Sequence, residues 1–181
     1  MSHPGIPSIV AAEAPQLSRT TDVPESQLNT APTAGAPDKT NLFSQVETQL
    51  TTYLTSSPLY SLLLSTLELV FVSDGRVALK LVVLPVHVNS KAVLHGSLSA
   101  TLVDLVAGLA IISAGSPKTG LSTDLHVSFV GAAREGETLW VEAIAERVGA
   151  TLAFTRVRIE KELAEAGRAL VATGSHTKYV R

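Results

Sequence analysis

A chain of 181 residues with 45% hydrophobic side chains can fill one well-packed core, so a single folded domain is expected. Its 14 basic and 16 acidic residues leave a formal charge of -2, which excludes the basic footprint of a protein that binds nucleic acid or an anionic membrane. The chain has no cysteine, and this excludes disulfides, thiolate nucleophiles and cysteine-ligated zinc.

Residues 1–40 carry Pro4, Pro7, Pro15, Pro24, Pro32 and Pro37 among Ala, Ser and Thr. Such a composition buries too little surface to offset the entropy of ordering, and a flexible tail is expected ahead of a domain spanning 41–181. The tail lacks a basic start followed by an apolar run, and it holds Glu13, Asp22 and Glu25 where a transit peptide is acid-poor. A cytoplasmic protein is the expectation, with a mitochondrial one as the alternative.

From residue 42 onward, Phe43, Val46, Leu50, Tyr53 and Leu54 fall at helical spacing, until Pro58 closes or restarts the helix. Residues 66–73 and 76–86 are apolar, β-branched runs on either side of Asp74-Gly75, a pair suited to the positive φ of a tight hairpin. A polar loop, 87–94, leads into 97–114, which reads as a helix apolar nearly all round despite Gly108. That run is interrupted by Asp104 and falls short of the ~20 clean residues needed to cross a bilayer. A buried helix is expected, without membrane insertion.

Residues 121–130, 138–148, 151–160 and 169–180 then read as strands, separated by turns at Arg134-Glu135-Gly136, Gly149-Ala150 and Ala166-Gly167. Thr155, Val157 and Ile159 alternate with Arg156, Arg158 and Glu160, the pattern of a sheet with one wet face. The order of elements implies an α+β fold, a curved antiparallel sheet of about six strands around one long helix, with a further helix in front.

Asp104 stands among Leu102, Val103, Leu105, Val106 and Leu109, with almost no polar neighbour in sequence. An unpartnered buried carboxylate costs several kcal/mol or takes up a proton, so such a residue either reaches solvent or serves chemistry. Desolvation would raise its pKa and improve it as a base, while nearby donors would hold it ionised. His95, Gly96 and Ser97 sit where the helix begins and the backbone N–H groups are free to meet an oxyanion, although Ser97 also suits a plain N-cap. Asn89, in the loop, offers an amide that does not titrate, and it equally suits a turn. There is no Gly-x-Ser-x-Gly elbow, no phosphate loop and no His-Glu-x-x-His, and the five histidines lack metal-ligand spacing.

Taken together, Asn89, the run 94–104 ending in Asp104, residues 120–129, 133–137 and 151–154, and the ending 172–178 resemble the small hotdog-fold acyl-CoA thioesterases of the phenylacetate-pathway and thioesterase-superfamily-member-2 type. The resemblance runs from about residue 42 to the end. It implies a hotdog fold, a homodimer or homotetramer with active sites across the dimer interface, and an acyl-CoA substrate whose coenzyme A is part of the substrate, with no separate cofactor. By position, Gly96 N–H and Asn89 of one subunit would polarise the thioester carbonyl, while Asp104 of the other activates water or attacks, helped by Ser122. The same likeness assigns coenzyme A contacts to His95, Phe129, Val130, Arg134, Arg147, Gly149, Ala150, Thr151 and Lys178, with Arg134, Arg147 and Lys178 as phosphate partners. Two departures stand out: Ser97 replaces a second glycine, and residues 160–167 read as a longer hairpin connection. Competing readings are a non-catalytic acyl-CoA sensor and an enzyme acting on carrier-protein thioesters, a dehydratase included, for which His95 is a poor candidate acid-base partner.

Overall fold

The structure, a computed structural model, describes residues 39–181; positions 1–38 of the expected tail lie outside the described residues. Along the chain come α1 (Lys39–Ser56), α2 (Pro58–Leu63), β1 (Leu67–Ser73), β2 (Arg76–Val82), α3 (Gly96–Ser113), β3 (Leu121–Phe129), β4 (Thr138–Val148), β5 (Leu152–Leu163) and β6 (Gly167–Tyr179). The strands form one antiparallel sheet in the order β1-β2-β4-β5-β6-β3, and α3 packs across it, touching β2 to β6. This is the expected architecture.

Local chemistry explains the boundaries. Asp74-Gly75 turns the first hairpin, with Gly75 at φ +66° and Ser73 paired to Arg76 across a two-residue loop. Pro58 restarts the first helix as α2, whose N-cap Ser57 accepts a hydrogen bond from Tyr60 N–H. The second strand stops at Val82, four residues before the apolar run ends, because Pro85 cannot donate to a ladder and opens a single 3-10 turn, Pro85–His87. The segment expected as a long connection between the last two strands is mostly ladder: Leu163 still pairs with Gly167, and only residues 164–166 turn.

In β5, Ala153, Thr155, Val157 and Ile159 are buried while Arg156 and Arg158 are exposed, so the sheet presents its apolar face to α3. The 18 residues of α3 have a mean hydropathy of 1.7, enough in length and composition for a membrane span, yet 72% of them are buried within the fold. Each enclosed Leu, Ile or Val contributes roughly 1.5–3 kcal/mol, which fixes the helix on the sheet. It packs closely on the sheet at Gly174 of β6, where a Cβ would lie 2.6 and 2.7 Å from the two methyls of Val103. Glycine is what lets the helix come down there.

Candidate active site

Asp104 leaves α3 one residue beyond Val103, with its side chain 35% exposed at the mouth of a cavity of about 240 Å3. The cavity is lined by Tyr53, Tyr60, Asp104, Leu105, Thr119, Gly120, Leu121, Ser122 and Lys178. Lys178 Nζ donates to Asp104 Oδ1 at 2.8 Å, Ser122 Oγ donates to the same oxygen at 3.4 Å, and Tyr60 Oη donates to Oδ2 at 3.2 Å. His176 Nδ1 lies 3.7 Å from Oδ1 with its ring fully enclosed. Tyr53 Oη and Thr119 Oγ1 are 2.8 Å apart on the far wall.

Burial pushes the Asp104 carboxyl up, but the hydrogen bond and charge of Lys178, the His176 ring and the Tyr60 hydroxyl outweigh it, so its pKa lies below the ordinary carboxylate value. Of the two states that the sequence left open, the ionised one holds. Burial, then the charge and hydrogen bond of Asp104, push the Tyr60 phenol up to about 12. Burial and the Lys178 charge hold His176 below its usual value. At neutral pH the site is a carboxylate flanked by a phenol and a neutral imidazole.

Lys178 thus departs from its expected place among the phosphate partners. It occupies the inner face of β6 with Ala172, Gly174 and His176, its side chain only 7% exposed, and serves as the counter-ion of Asp104. Gly108, one helical turn past Asp104, makes room for Thr119 of the same cavity: a Cβ there would stand 3.0 Å from Thr119 Cβ, while Lys178 Nζ lies at an ordinary contact distance of 3.9 Å.

Asn89 and Gly96 line a different cavity, of about 350 Å3, with Val93, Leu94, Ser99, Phe129, Gly131, Ala132 and Val171. Asn89 Oδ1 accepts from the backbone N–H of Lys91 (2.8 Å) and Val93 (3.4 Å), which shapes the loop and leaves the side-chain NH2 as the group that the turn does not use. His95, not Ser97, caps α3: its Nδ1 accepts from Ser97 N–H at 3.1 Å and its carbonyl accepts from Leu98 N–H at 3.0 Å. Gly96 is the first helical residue, and its N–H has no partner within the helix ladder. The Phe129 ring lies across it, 3.1 Å from where a Cβ would stand, and is itself 63% exposed.

These two groups do not meet within one chain. Gly96 and Asp104 are eight residues apart on α3, roughly 12 Å along its axis, and their cavities share no lining residue. The remaining candidates divide in the same way. Phe129 pairs with Ala172, which pairs with Ile159, whereas Leu121 pairs with Tyr179, which pairs with Leu152. Phe129, Val130 and the exposed Arg134 therefore belong to the Gly96 end of the sheet. The exposed Arg147 and the β4-β5 turn of Gly149, Ala150 and Thr151 belong to the Asp104 end, seven strand residues or roughly 23 Å away. Val130 N–H is already used by Val171 O, and Gly149 N–H by Leu152 O, both at 2.9 Å.

Tyr60, Tyr53 and Gly108 carry roles at this site that no local pattern announced. The tyrosines come from the N-terminal helices, 44 or more positions before Asp104, and helical spacing identified Tyr53 only as apolar packing.

With this geometry in hand, the chain matches the family model described as the thioesterase superfamily over residues 91–179. Human acyl-coenzyme A thioesterase 13 is 32% identical over 127 residues, which cover 70% of this chain and 89% of the human protein. The crystal structure of zebrafish thioesterase superfamily member 2 superposes with a TM-score of 0.68 at 30% identity, covering 76% of this chain and 99% of that one. The mouse thioesterase superfamily member 2 structure gives 0.64 at 26% identity, covering 79% and 97%. A six-stranded antiparallel sheet around one long helix, an acid set into that helix, and these likenesses together establish that the chain belongs to the thioesterase superfamily, as a thioester hydrolase of the hotdog fold.

Proposed function

We propose that the protein hydrolyses an acyl-CoA thioester to free acid and coenzyme A, in active sites built between two copies of the chain. The observation that carries this reading is the ionised Asp104 carboxylate at a cavity mouth, which can take a proton from water or attack directly. As water attacks the thioester carbon, Asp104 accepts its proton, negative charge gathers on the carbonyl oxygen, and the C–S bond then breaks to release the thiolate, which is protonated by solvent. Gly96 N–H, at the positive end of α3, and the Asn89 side-chain NH2 are the donors suited to that oxygen. Ser122, which already reaches Asp104, is suited to hold the water. No separate cofactor enters this scheme. The acyl-CoA substrate is what the name of the human relative, acyl-coenzyme A thioesterase 13, describes for that protein.

The split between the two cavities supports a shared site. β3 is the last strand of the sheet, and Leu121, Leu125 and Phe129 along it and Val130 just past it are 38–73% exposed. An unpaired apolar edge is a template for another strand. Antiparallel pairing of β3 with β3 of a second copy turns one chain end for end against the other, and so sets Asn89 and Gly96 of one subunit beside Asp104 and Ser122 of the other. Phe129, Val130 and Arg134 then face Arg147 and the 149–151 turn across the same seam, with His95 beside them, as contacts for coenzyme A. The outer face of the sheet, which pairs Arg76 with Glu142 and Arg168 with Glu160, is the surface left for joining two dimers into a tetramer.

The test is subunit complementation on an acyl-CoA panel with release of free thiol as the signal. D104N and G96P chains, each inactive alone, are expected to regain up to a quarter of their pooled sites as functional when unfolded and refolded together. Absence of recovery, with mixed oligomers present, would contradict a shared site. Turnover of carrier-protein esters far above that of any coenzyme A ester would replace the substrate.

A further inference from the structure

We propose that Lys178 and Tyr60 divide the two oxygens of Asp104 between them, Lys178 anchoring Oδ1 while Tyr60 keeps Oδ2 as the oxygen that meets water, so that both are positioning residues for hydrolysis. The proposal rests on the reading of Asp104 as the group that activates water. Oδ1 is fully engaged: it accepts from Lys178 Nζ at 2.8 Å and from Ser122 Oγ at 3.4 Å, with the His176 ring at 3.7 Å. Oδ2 has one partner, Tyr60 Oη at 3.2 Å, longer than the ~2.7–2.8 Å typical of a hydroxyl donor. The phenol takes one lone pair of Oδ2 and holds the carboxylate in place, and the other lone pair is left to accept from a water in the cavity.

The burial of Lys178 gives the division its direction. The Lys178 side chain is only 7% exposed, so its ammonium has little solvent to turn to and stays on Asp104, whereas Tyr60 stands half-buried on the cavity wall. Four elements bring polar groups toward the carboxylate: α1 brings Tyr53, already tied to Thr119; α2 brings Tyr60; β6 brings His176 and Lys178; and β3 brings Ser122, with Asp124 near enough to act on His176. Asp104 is the one carboxylate lining this cavity among the described residues. The phenol holds its proton at neutral pH, and so remains a donor.

The experiment compares full-length wild type, K178A and Y60F for hydrolysis of an acyl-CoA ester across pH, with and without ethylammonium. K178A is expected to shift the acid limb of kcat upward by about one pH unit or more, to lower kcat by roughly tenfold to a hundredfold with KM little changed, and to recover several-fold with added amine. Y60F is expected to lower kcat by about tenfold while leaving the amine without effect. A folded K178A whose acid limb stays in place and which ignores the amine would overturn the proposal, since a merely structural lysine predicts that result. Should K178A not fold, the unfolding midpoints of wild type and D104N against pH carry the test. Wild type should be the more stable at neutral pH, and its lead over D104N should close as pH falls through the folded pKa of Asp104; parallel curves would overturn the pairing. Wild type that hydrolyses no thioester would remove the catalytic reading of Asp104, and the stability comparison would still judge its pairing with Lys178.

Discussion

Gly174→Ala tests how tightly the helix that carries Asp104 is seated. The new methyl would stand 2.6 and 2.7 Å from the two Val103 methyls, and 3.2 Å from His126 O. Val103 is fully enclosed, so the overlap must be relieved by moving α3, at about 2–3 kcal/mol, the upper part of the range for overpacked cores. Exchange of glycine for alanine within a strand returns about 0.5–1 kcal/mol. The expected net loss is about 2 kcal/mol, a fall in Tm of roughly 4–8 °C for a domain of this size. Val103→Ala alone costs about 2 kcal/mol through lost burial and the void it leaves. In the double variant the Gly174→Ala methyl fills that void, so the two losses should fall short of additive by about 2 kcal/mol. Denaturant unfolding of the four proteins measures this directly. Additivity within ~0.5 kcal/mol would refute the close packing of α3 on β6 at this point. Because Val103 precedes Asp104, turnover should fall in G174A and recover in the double variant.

Two further predictions concern the loop at Asn89 and the turn that leads into β4. Asn89→Asp keeps the acceptor that Lys91 and Val93 use and removes the donor, so its unfolding midpoint should stay near wild type while kcat falls about a hundredfold, whereas Asn89→Ala loses both the loop bonds and the donor. Glu137 is raised by burial but more strongly lowered by Lys161 Nζ at 2.9 Å and Arg134 N–H at 2.7 Å, so its pKa lies below the ordinary value. A depressed carboxylate contributes stability above its unfolded pKa and loses it as pH falls through the folded one. Glu137→Gln should therefore cost about 0.5–1 kcal/mol at neutral pH, and the gap to wild type should close on acidification.

Much of the architecture could be read because the local signals agree with the final packing. Asp74-Gly75 needs no distant partner to turn a hairpin, and the alternation from Ala153 to Ile159 names the buried face of β5 by itself. A helix as apolar as α3 must be wrapped, and a carboxylate in it must be partnered. The partners themselves are a matter of register. Lys178 shares strand parity with Ala172 and Gly174, which was a legible sign that it points inward, yet a lysine near the chain end reads first as a surface charge. Tyr60 reaches Asp104 only because α2 lies close to the middle of α3 at that point, a contact between residues 44 positions apart that no periodicity encodes. Asn89, Gly96 and Asp104 were grouped as one set by likeness alone; on a single chain they line two cavities, and the physical reason is the length of helix between them.

The proposed hydrolysis depends most directly on Asp104. Release of free thiol from acyl-CoA esters should be rapid for wild type and reduced by a factor of about a hundred or more for D104N, with acyl-CoA binding retained and the fold intact by unfolding. A folded, ligand-binding D104N that keeps wild-type turnover would contradict it.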